Sequence, residues 1–272
     1  MLACTLDKFQ RNINADVFTR RKSVTITEFP QGVEVLVREN HETCSDGAMY
    51  IEVERTKRGE GDHERSRAVA ARRAKGQVRK RCKMIQADTM LTLTYRENMT
   101  DEDRLQRDVK AFVKRLRALG PFEYVLAVET QRRGSLHVHM ACQSFPAWMT
   151  NVDGVKVKSY NLIRALWRSV VGRDNGNVDL TKPRSNGAHR IACYISKYVS
   201  KAFGEAVFNA KSYWCSRGIP KPKIQKLWFS GDTPSPDLLA LVMDDFLRRG
   251  YSDFTHFQDK MNEFHWFAAS RP

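Results

Sequence analysis

Residues 136 to 140 read Leu-His-Val-His-Met, and residues 194 to 201 read Tyr-Ile-Ser-Lys-Tyr-Val-Ser-Lys. On a strand, the alternation of side chains puts His137 and His139 on the same side, about 7 Å apart along the backbone, which suits two ligands of one metal. On a helix, Tyr194 and Tyr198 stand one turn apart on one face, with Lys197 and Lys201 close to the same stripe. A free phenol has a pKa near 10 and is a poor nucleophile at neutral pH without electrostatic help. A divalent ion held beside it would polarise a phosphate and stabilise the charge that develops in the transition state. An ammonium group nearby can contact phosphate oxygens or favour a phenolate. Each pattern alone also has a structural use, as the wet face of a half-buried strand, as packing tyrosines or as solvated lysines. Their company in one chain points to a metal-assisted tyrosine nucleophile.

Two histidines seldom complete a catalytic metal site, so a carboxylate is expected beside them. If Arg132-Arg133-Gly134 forms a three-residue loop with Gly134 in the left-handed position, residue 131 pairs with 135 and Glu129 sits opposite His137. A two-residue loop would turn Glu129 to the other side. Glu123 and Gln131 stay open as alternative ligands.

The elements that must position these groups form the most regular part of the chain. Met90 to Tyr95 alternates as a strand, and Thr100-Asp-Glu-Asp103 reads as a helix start with acidic residues in the first turn. The helix expected over 101 to 119 carries Leu105, Val109, Phe112, Val113, Leu116 and Leu119 on one stripe, and Gly120-Pro121 ends it. A strand near 122 to 130, the histidine strand 136 to 142, a helix over 159 to 171, a short strand around 177 to 180 and the tyrosine helix, about 187 to 203, follow. The order β-α-β-β-α-β with a helix appended predicts an α+β fold of ferredoxin-like split βαβ plan. It has an antiparallel sheet, helices on one face, and the tyrosine helix beside the metal site on a face left free for substrate.

The flanks read as separate parts, giving three regions: 1–86, 87–203 and 204–272. In the first, residues 33 to 38 and 48 to 54 alternate as a strand pair across Ser45-Asp46-Gly47. A helix over 68 to 84 presents Arg72, Arg73, Lys75, Arg79, Lys80 and Arg81 either as a solvated face or as a phosphate-tracking surface. The last region is rich in aromatics, with Tyr213, Trp214, Trp228, Phe229, Trp266 and Phe267, and carries a helix over 236 to 249. These rings suit a subdomain core or stacking on unpaired bases.

Forty-six Lys and Arg against thirty-one Asp and Glu give a net charge of +15, which implies a polyanionic partner, with nucleic acid favoured. No apolar run is long enough to span a membrane and the N-terminus lacks a signal-peptide design, so a cytoplasmic protein without a membrane partner is expected. The six cysteines are widely spaced with no C-x-x-C pair, which excludes a zinc ribbon or disulfide scaffold and predicts reduced thiols. Ala141 breaks the H-x-H-x-H pattern that a histidine-phosphotransfer hydrolase would need.

Thr92-Leu-Thr-Tyr95, then Glu129 with Leu136-His-Val-His-Met140, then Tyr194-Ile-Ser-Lys-Tyr-Val-Ser-Lys201 resemble the three ordered motifs of the HUH endonuclease superfamily. The double tyrosine with a lysine three residues after each is similar to the rolling-circle initiators of single-stranded DNA bacteriophages and related plasmids. Arg217-Gly-Ile-Pro220 resembles, less specifically, a stretch found downstream in phage initiators. The resemblance spans 88 to 203. It implies Tyr194 and Tyr198 as alternating nucleophiles assisted by Lys197 and Lys201, and a magnesium or manganese ion on His137, His139 and Glu129. It further implies DNA contacts through Thr94 and Tyr95, a 5′-phosphotyrosine intermediate and a free 3′-hydroxyl. The partners so implied are single-stranded origin DNA and a host polymerase. A host helicase is expected as well, because no G-x-x-x-x-G-K-[ST] motif is present. A single-strand transposase or a mobilisation relaxase would share this chemistry, and a non-catalytic basic DNA-binding protein would share only the charge.

Overall fold

The computed structural model describes residues 21–40, 63–183, 187–205, 213–260 and 263–270. It divides into two compact units, one of residues 60–221 and one built from both ends of the chain, 1–59 with 222–272.

In the unit of residues 60–221, β3 (Thr89–Tyr95), β4 (Tyr124–Thr130), β5 (Leu136–Cys142), β8 (Gly176–Thr181) and β9 (Tyr213–Cys215) form a sheet in the order β8-β3-β5-β4-β9. Every pairing is antiparallel. Helix α2 (Glu102–Arg117) connects β3 to β4 across β5, and α3 (Ser159–Val171) connects β5 to β8 across β3. These are two interleaved split βαβ units, and the α+β ferredoxin-like plan is the observed one. Between β5 and α3 the chain inserts a small hairpin, β6 (Trp148–Thr150) with β7 (Lys156–Lys158).

Local chemistry explains the helices. Asp101 caps α2 by accepting a hydrogen bond from the Arg104 amide at 2.9 Å, satisfying a donor that the first turn leaves unpaired. The apolar stripe Leu105, Val109, Phe112, Val113 and Leu116 is buried against Leu91, Leu93, Leu126, Val138 and Met140 of the sheet. Trp167 of α3 is fully buried at the centre of this layer, edge-on to Tyr95 and Phe112 at 5.2 and 5.7 Å between ring centroids. Its indole N–H donates to the Thr94 carbonyl at 2.9 Å, so truncating it to alanine would cost about 4 kcal/mol.

The second face of the sheet is not left open, as the sequence suggested it would be. Helices α1 (His63–Met84) and α4 (Gly187–Glu205) pack on it. They bury Ala74, Val78, Cys82 and Ile85 from α1 and Ile191, Ala192 and Ile195 from α4 against Met90, Val125, Ala127 and Ala141. The end of that face bearing Glu129 and the loop arginines Arg132 and Arg133 keeps access to solvent.

In the other unit, β1 (Arg21–Phe29), β2 (Gly32–Asn40), β10 (Lys223–Ser230), β11 (Asp253–Asp259) and β12 (Phe264–Ser270) form an antiparallel sheet in the order β10-β1-β2-β12-β11. Helix α5 (Ser235–Arg248) covers one face, its Leu238, Val242 and Phe246 packing on Val24, Ile26, Val33, Val35 and Phe229. The two neighbours of β2 are therefore β1 and β12, while residues 48–54, the expected partner, lie outside the described residues. Gly32 is required where β2 meets β12, since a Cβ there would stand 2.5 Å from the Ala269 carbonyl oxygen. The aromatic tail splits by strand parity: Phe229 and Phe267 are core, whereas Trp228 and Trp266 point to the other side of the sheet. Tyr213 and Trp214 belong to β9 of the first unit.

Candidate active site

The β4–β5 hairpin sets the site. The Gln131 amide donates to the Ser135 carbonyl at 2.9 Å, and the Gly134 amide donates to the Gln131 carbonyl at 2.8 Å. Arg132, Arg133 and Gly134 thus form a three-residue loop, with Gly134 at φ 82°, a value that favours glycine. In this register Glu129 pairs with His137 and Ala127 with His139. All four residues, with Thr92 of β3, share the face on which α4 packs.

Across the pairs, His139 Nε2 lies 3.0 Å from Glu129 Oε2, and His139 Nδ1 lies 3.2 Å from Thr92 Oγ1. His137 Nδ1 lies 3.2 Å from the Gln131 amide nitrogen. With the amide turned over, Gln131 accepts from Nδ1–H and His137 Nε2 keeps its lone pair. That Nε2 is buried and makes no hydrogen bond among the described residues. Burial, and then the neighbouring His139, push the His137 imidazole below its ordinary pKa, so it is neutral at physiological pH and available as a donor.

Helix α4 brings both tyrosines to this face. The Tyr198 ring stacks on His139 with 3.9 Å between centroids and 13° between planes. Its hydroxyl donates to the Tyr194 hydroxyl at 2.6 Å, and the two phenol rings meet edge to face at 5.1 Å. Tyr194 is 45% exposed. Burial, the hydrogen bond to Tyr194 and the charge of Glu129 all push the Tyr198 phenol above its ordinary range. Lys197 is exposed on the same helix, whereas the side chain of Lys201 lies outside the described residues.

Several expected residues fall elsewhere. Tyr95 is 3% exposed and turned to the opposite face, where its hydroxyl donates to Asp108 at 3.0 Å. It is a core residue and cannot touch DNA, because Leu91, Leu93 and Tyr95 share one parity and Thr92 and Thr94 the other. Thr94 donates to the Asn177 carbonyl beside the site. On α1, Arg72, Arg73 and Lys75 are exposed, whereas Arg79, Lys80 and Arg81 are half-buried. Arg81 donates to the Cys215 sulfur at 3.1 Å. Glu123 precedes β4 at its far end and lines a separate cleft with Phe122 and Phe145, so it does not join the histidines. Thr92 and Gln131 emerge as the groups that orient the two imidazoles. Strand parity and the hairpin register carried that signal, although Gln131 was weighed only as a ligand.

Among the described residues, no three His, Cys, Asp or Glu side chains are gathered as they stand into a metal cluster. The donor set still suits a hard or borderline cation. Glu129 Oε2 and His139 Nε2 are 3.0 Å apart, about the separation of adjacent ligands on an octahedral ion that binds at roughly 2.1 Å. Both histidines engage Nδ1 with a neighbour, the arrangement that aims Nε2 at an ion, and the buried, unpartnered Nε2 of His137 supplies the third donor.

A ferredoxin-like sheet that carries two histidines, a carboxylate and a tyrosine pair on one face defines a class of sites suited to phosphoryl transfer without a bound nucleotide. Residues 88–203 match the model of a family described as Replication-associated protein, of the ORF2 kind. That match spans the sheet strands β3, β4, β5 and β8 together with most of α4, and covers less than half of the chain. No curated protein and no solved structure matches the chain. Among the described residues, no helix is long and apolar enough to cross a membrane.

Proposed function

We propose that this protein is a rolling-circle replication initiator that nicks and rejoins single-stranded origin DNA through a tyrosine nucleophile. The observation that carries the reading is the stack of Tyr198 on His139 with the Tyr194 hydroxyl one hydrogen bond away, inside the segment that matches a replication-associated family.

In this mechanism Tyr194, the more exposed phenol, attacks phosphorus. Its Oη–P bond forms as the bond from phosphorus to the 3′ oxygen breaks. The Tyr194 proton passes to solvent and the departing 3′ oxygen takes a proton from solvent. The 5′ end stays on the tyrosine, so the phosphodiester energy is kept for rejoining. Tyr198 donates to the Tyr194 oxygen and holds its own proton while doing so, because burial disfavours its phenolate. In a second transfer the 3′-hydroxyl, or Tyr198 on a new phosphate, closes the cycle. Glu129, His139 and His137 would hold a magnesium or manganese ion, oriented by Thr92 and Gln131, and that ion when bound would polarise the scissile phosphate. Lys197 and the basic face of α1, chiefly Arg72, Arg73 and Lys75, would track the strand. The released 3′-hydroxyl primes a host polymerase, with a host helicase opening the duplex.

The test is incubation of the full chain with single-stranded origin DNA and magnesium or manganese, followed by denaturing electrophoresis. A protein–DNA adduct that survives denaturation and disappears in Tyr194→Phe/Tyr198→Phe is expected. Absence of any adduct on authentic origin DNA overturns the enzymatic reading and leaves a basic DNA-binding protein.

A further inference from the structure

On the far side of the sheet from the tyrosines, α3 carries a cleft of about 360 Å³ lined by Asn161, Arg164, Ala165, Arg168, Ser169 and Arg173. Its floor and walls follow from helical spacing. Asn161, Ala165 and Ser169 recur every four residues and make a low stripe. Tyr160, Arg164 and Arg168 recur beside it and make a wall of one aromatic and two guanidinium groups. Arg173 extends that wall past the end of the helix.

The groups that line the cleft are mostly hydrogen-bond donors. Arg168 Nε is held by the Gly176 carbonyl at 2.8 Å, which fixes the planar group and leaves its terminal nitrogens for another acceptor. The Arg164 guanidinium lies 5.3 Å from the centre of the Tyr160 ring, and Tyr160 is 40% exposed. Among the described residues, no acidic side chain lines the cleft; the nearest in sequence is the exposed Asp174. Arg164 and Arg168 stand one turn apart, about 6 Å along the axis, a step that neighbouring phosphates of an extended strand can match.

Position ties the cleft to the site. The loop carrying Arg173 enters β8 at Gly176, which pairs with Tyr95, followed by Asn177, which pairs with Thr94. This is the end of the sheet at which His137 and the exposed loop arginines Arg132 and Arg133 lie. A strand leaving the tyrosine site over the β8 edge reaches Arg173 first and then the two arginines of α3.

We propose that this cleft binds the sugar-phosphate backbone of the single-stranded DNA that runs out of the tyrosine site, with Arg173, Arg168 and Arg164 on successive phosphates. The identity of the occupant rests on the reading given under Proposed function. A purely structural role also exists for these arginines, since cations near the C-terminus of α3 offset its dipole, so the test reads phosphate contacts directly.

The full chain and Arg164→Gln/Arg173→Gln are compared in metal-free buffer, where no cleavage intervenes. Arg168 is left in place because it holds Gly176. Binding is measured against salt for a short oligodeoxynucleotide that fills only the tyrosine site and for a longer one that extends beyond it on both sides. Each single-strand phosphate contact contributes about 0.7 to the slope of log K on log salt, so the double variant should lose about 1.4 on the long strand and nothing on the short one. Arg164→Lys/Arg173→Lys should restore the slope. An unchanged slope on the long strand, or an equal loss on both strands, overturns the proposal. If the double variant does not fold, Arg173→Gln alone, on an exposed loop, should lose about 0.7. A lost slope without any covalent adduct would count against the nicking reading alone, and an adduct with an unchanged slope against the cleft alone.

Discussion

Tyr198→Phe isolates one hydroxyl. The ring keeps its stack on His139, and only the hydrogen bond to Tyr194, 2.6 Å long, disappears. If Tyr194 is the attacking phenol, that bond stabilises the charge developing on its oxygen, and bonds to charged groups are worth about 1.5–3 kcal/mol. Tyr194 is 45% exposed, so water replaces part of the loss and the lower end applies. A barrier raised by about 1.4 kcal/mol slows the reaction about tenfold. Tyr194→Phe removes the nucleophile and leaves only Tyr198, whose phenol burial holds in its protonated form, so its rate should fall much further. Single-turnover adduct formation on an oligonucleotide that cannot be religated measures both rates. Adduct formation by Tyr194→Phe at the wild-type rate, or a Tyr198→Phe variant as slow as Tyr194→Phe, would refute the assignment of roles.

Other predictions concern the framework. In Gly176→Ala the added Cβ would stand 2.8 Å from both Trp167 Cδ1 and Val171 Cγ2, and overpacking against a fully buried tryptophan should cost about 1–3 kcal/mol, read as a lower denaturant midpoint at unchanged slope. A maleimide should label the exposed Cys193 in the native protein and reach Cys82 and Cys142 only on unfolding. Burial pushes the Cys142 thiol up to about 12 and that of Cys82 higher still; native labelling of Cys142 at the rate of Cys193 would contradict this. His265 is held below its ordinary 6.5 by burial and by His256, whose Nε2 lies 3.2 Å from its Nδ1. The unfolded chain therefore binds more protons, and stability falls as pH drops through about 6.5 toward the lowered folded value. The melting temperature should decline from about pH 7.5 to about pH 5, and His265→Gln should flatten that decline.

Much of the tyrosine-bearing unit was legible because its elements obey simple periods. The stripe from Leu105 to Leu116 could only be a helix packed on one side, and a loop of three residues ending in Gly134 could only bring Glu129 opposite His137. Where the reading of Tyr95 went astray, the signal was present, since its parity with Leu91 and Leu93 already pointed it into the core. Helix α1 was harder, because its buried stripe of Ala74, Val78 and Cys82 is small and outweighed by arginines, so packing on the second face left little trace in hydropathy. Strand β1 pairs with β10 some two hundred residues away, and no local pattern announces such a partner.

That last pairing has a consequence for how the chain acquires its structure. The sheet order β10-β1-β2-β12-β11 cannot close until Ser270 has been made, whereas the tyrosine-bearing unit is complete by about residue 221. Bringing β1 to β10 through an unfolded intervening chain carries a large loop-closure entropy, and a folded insert between them shortens that loop to a few residues at each end. During synthesis the N-terminal hairpin must therefore wait with an unpaired edge while the inserted unit folds. Substitutions that slow folding of the insert, Gly176→Ala among them, are expected to lower yield through aggregation of β1 and β2 before they change any measured activity.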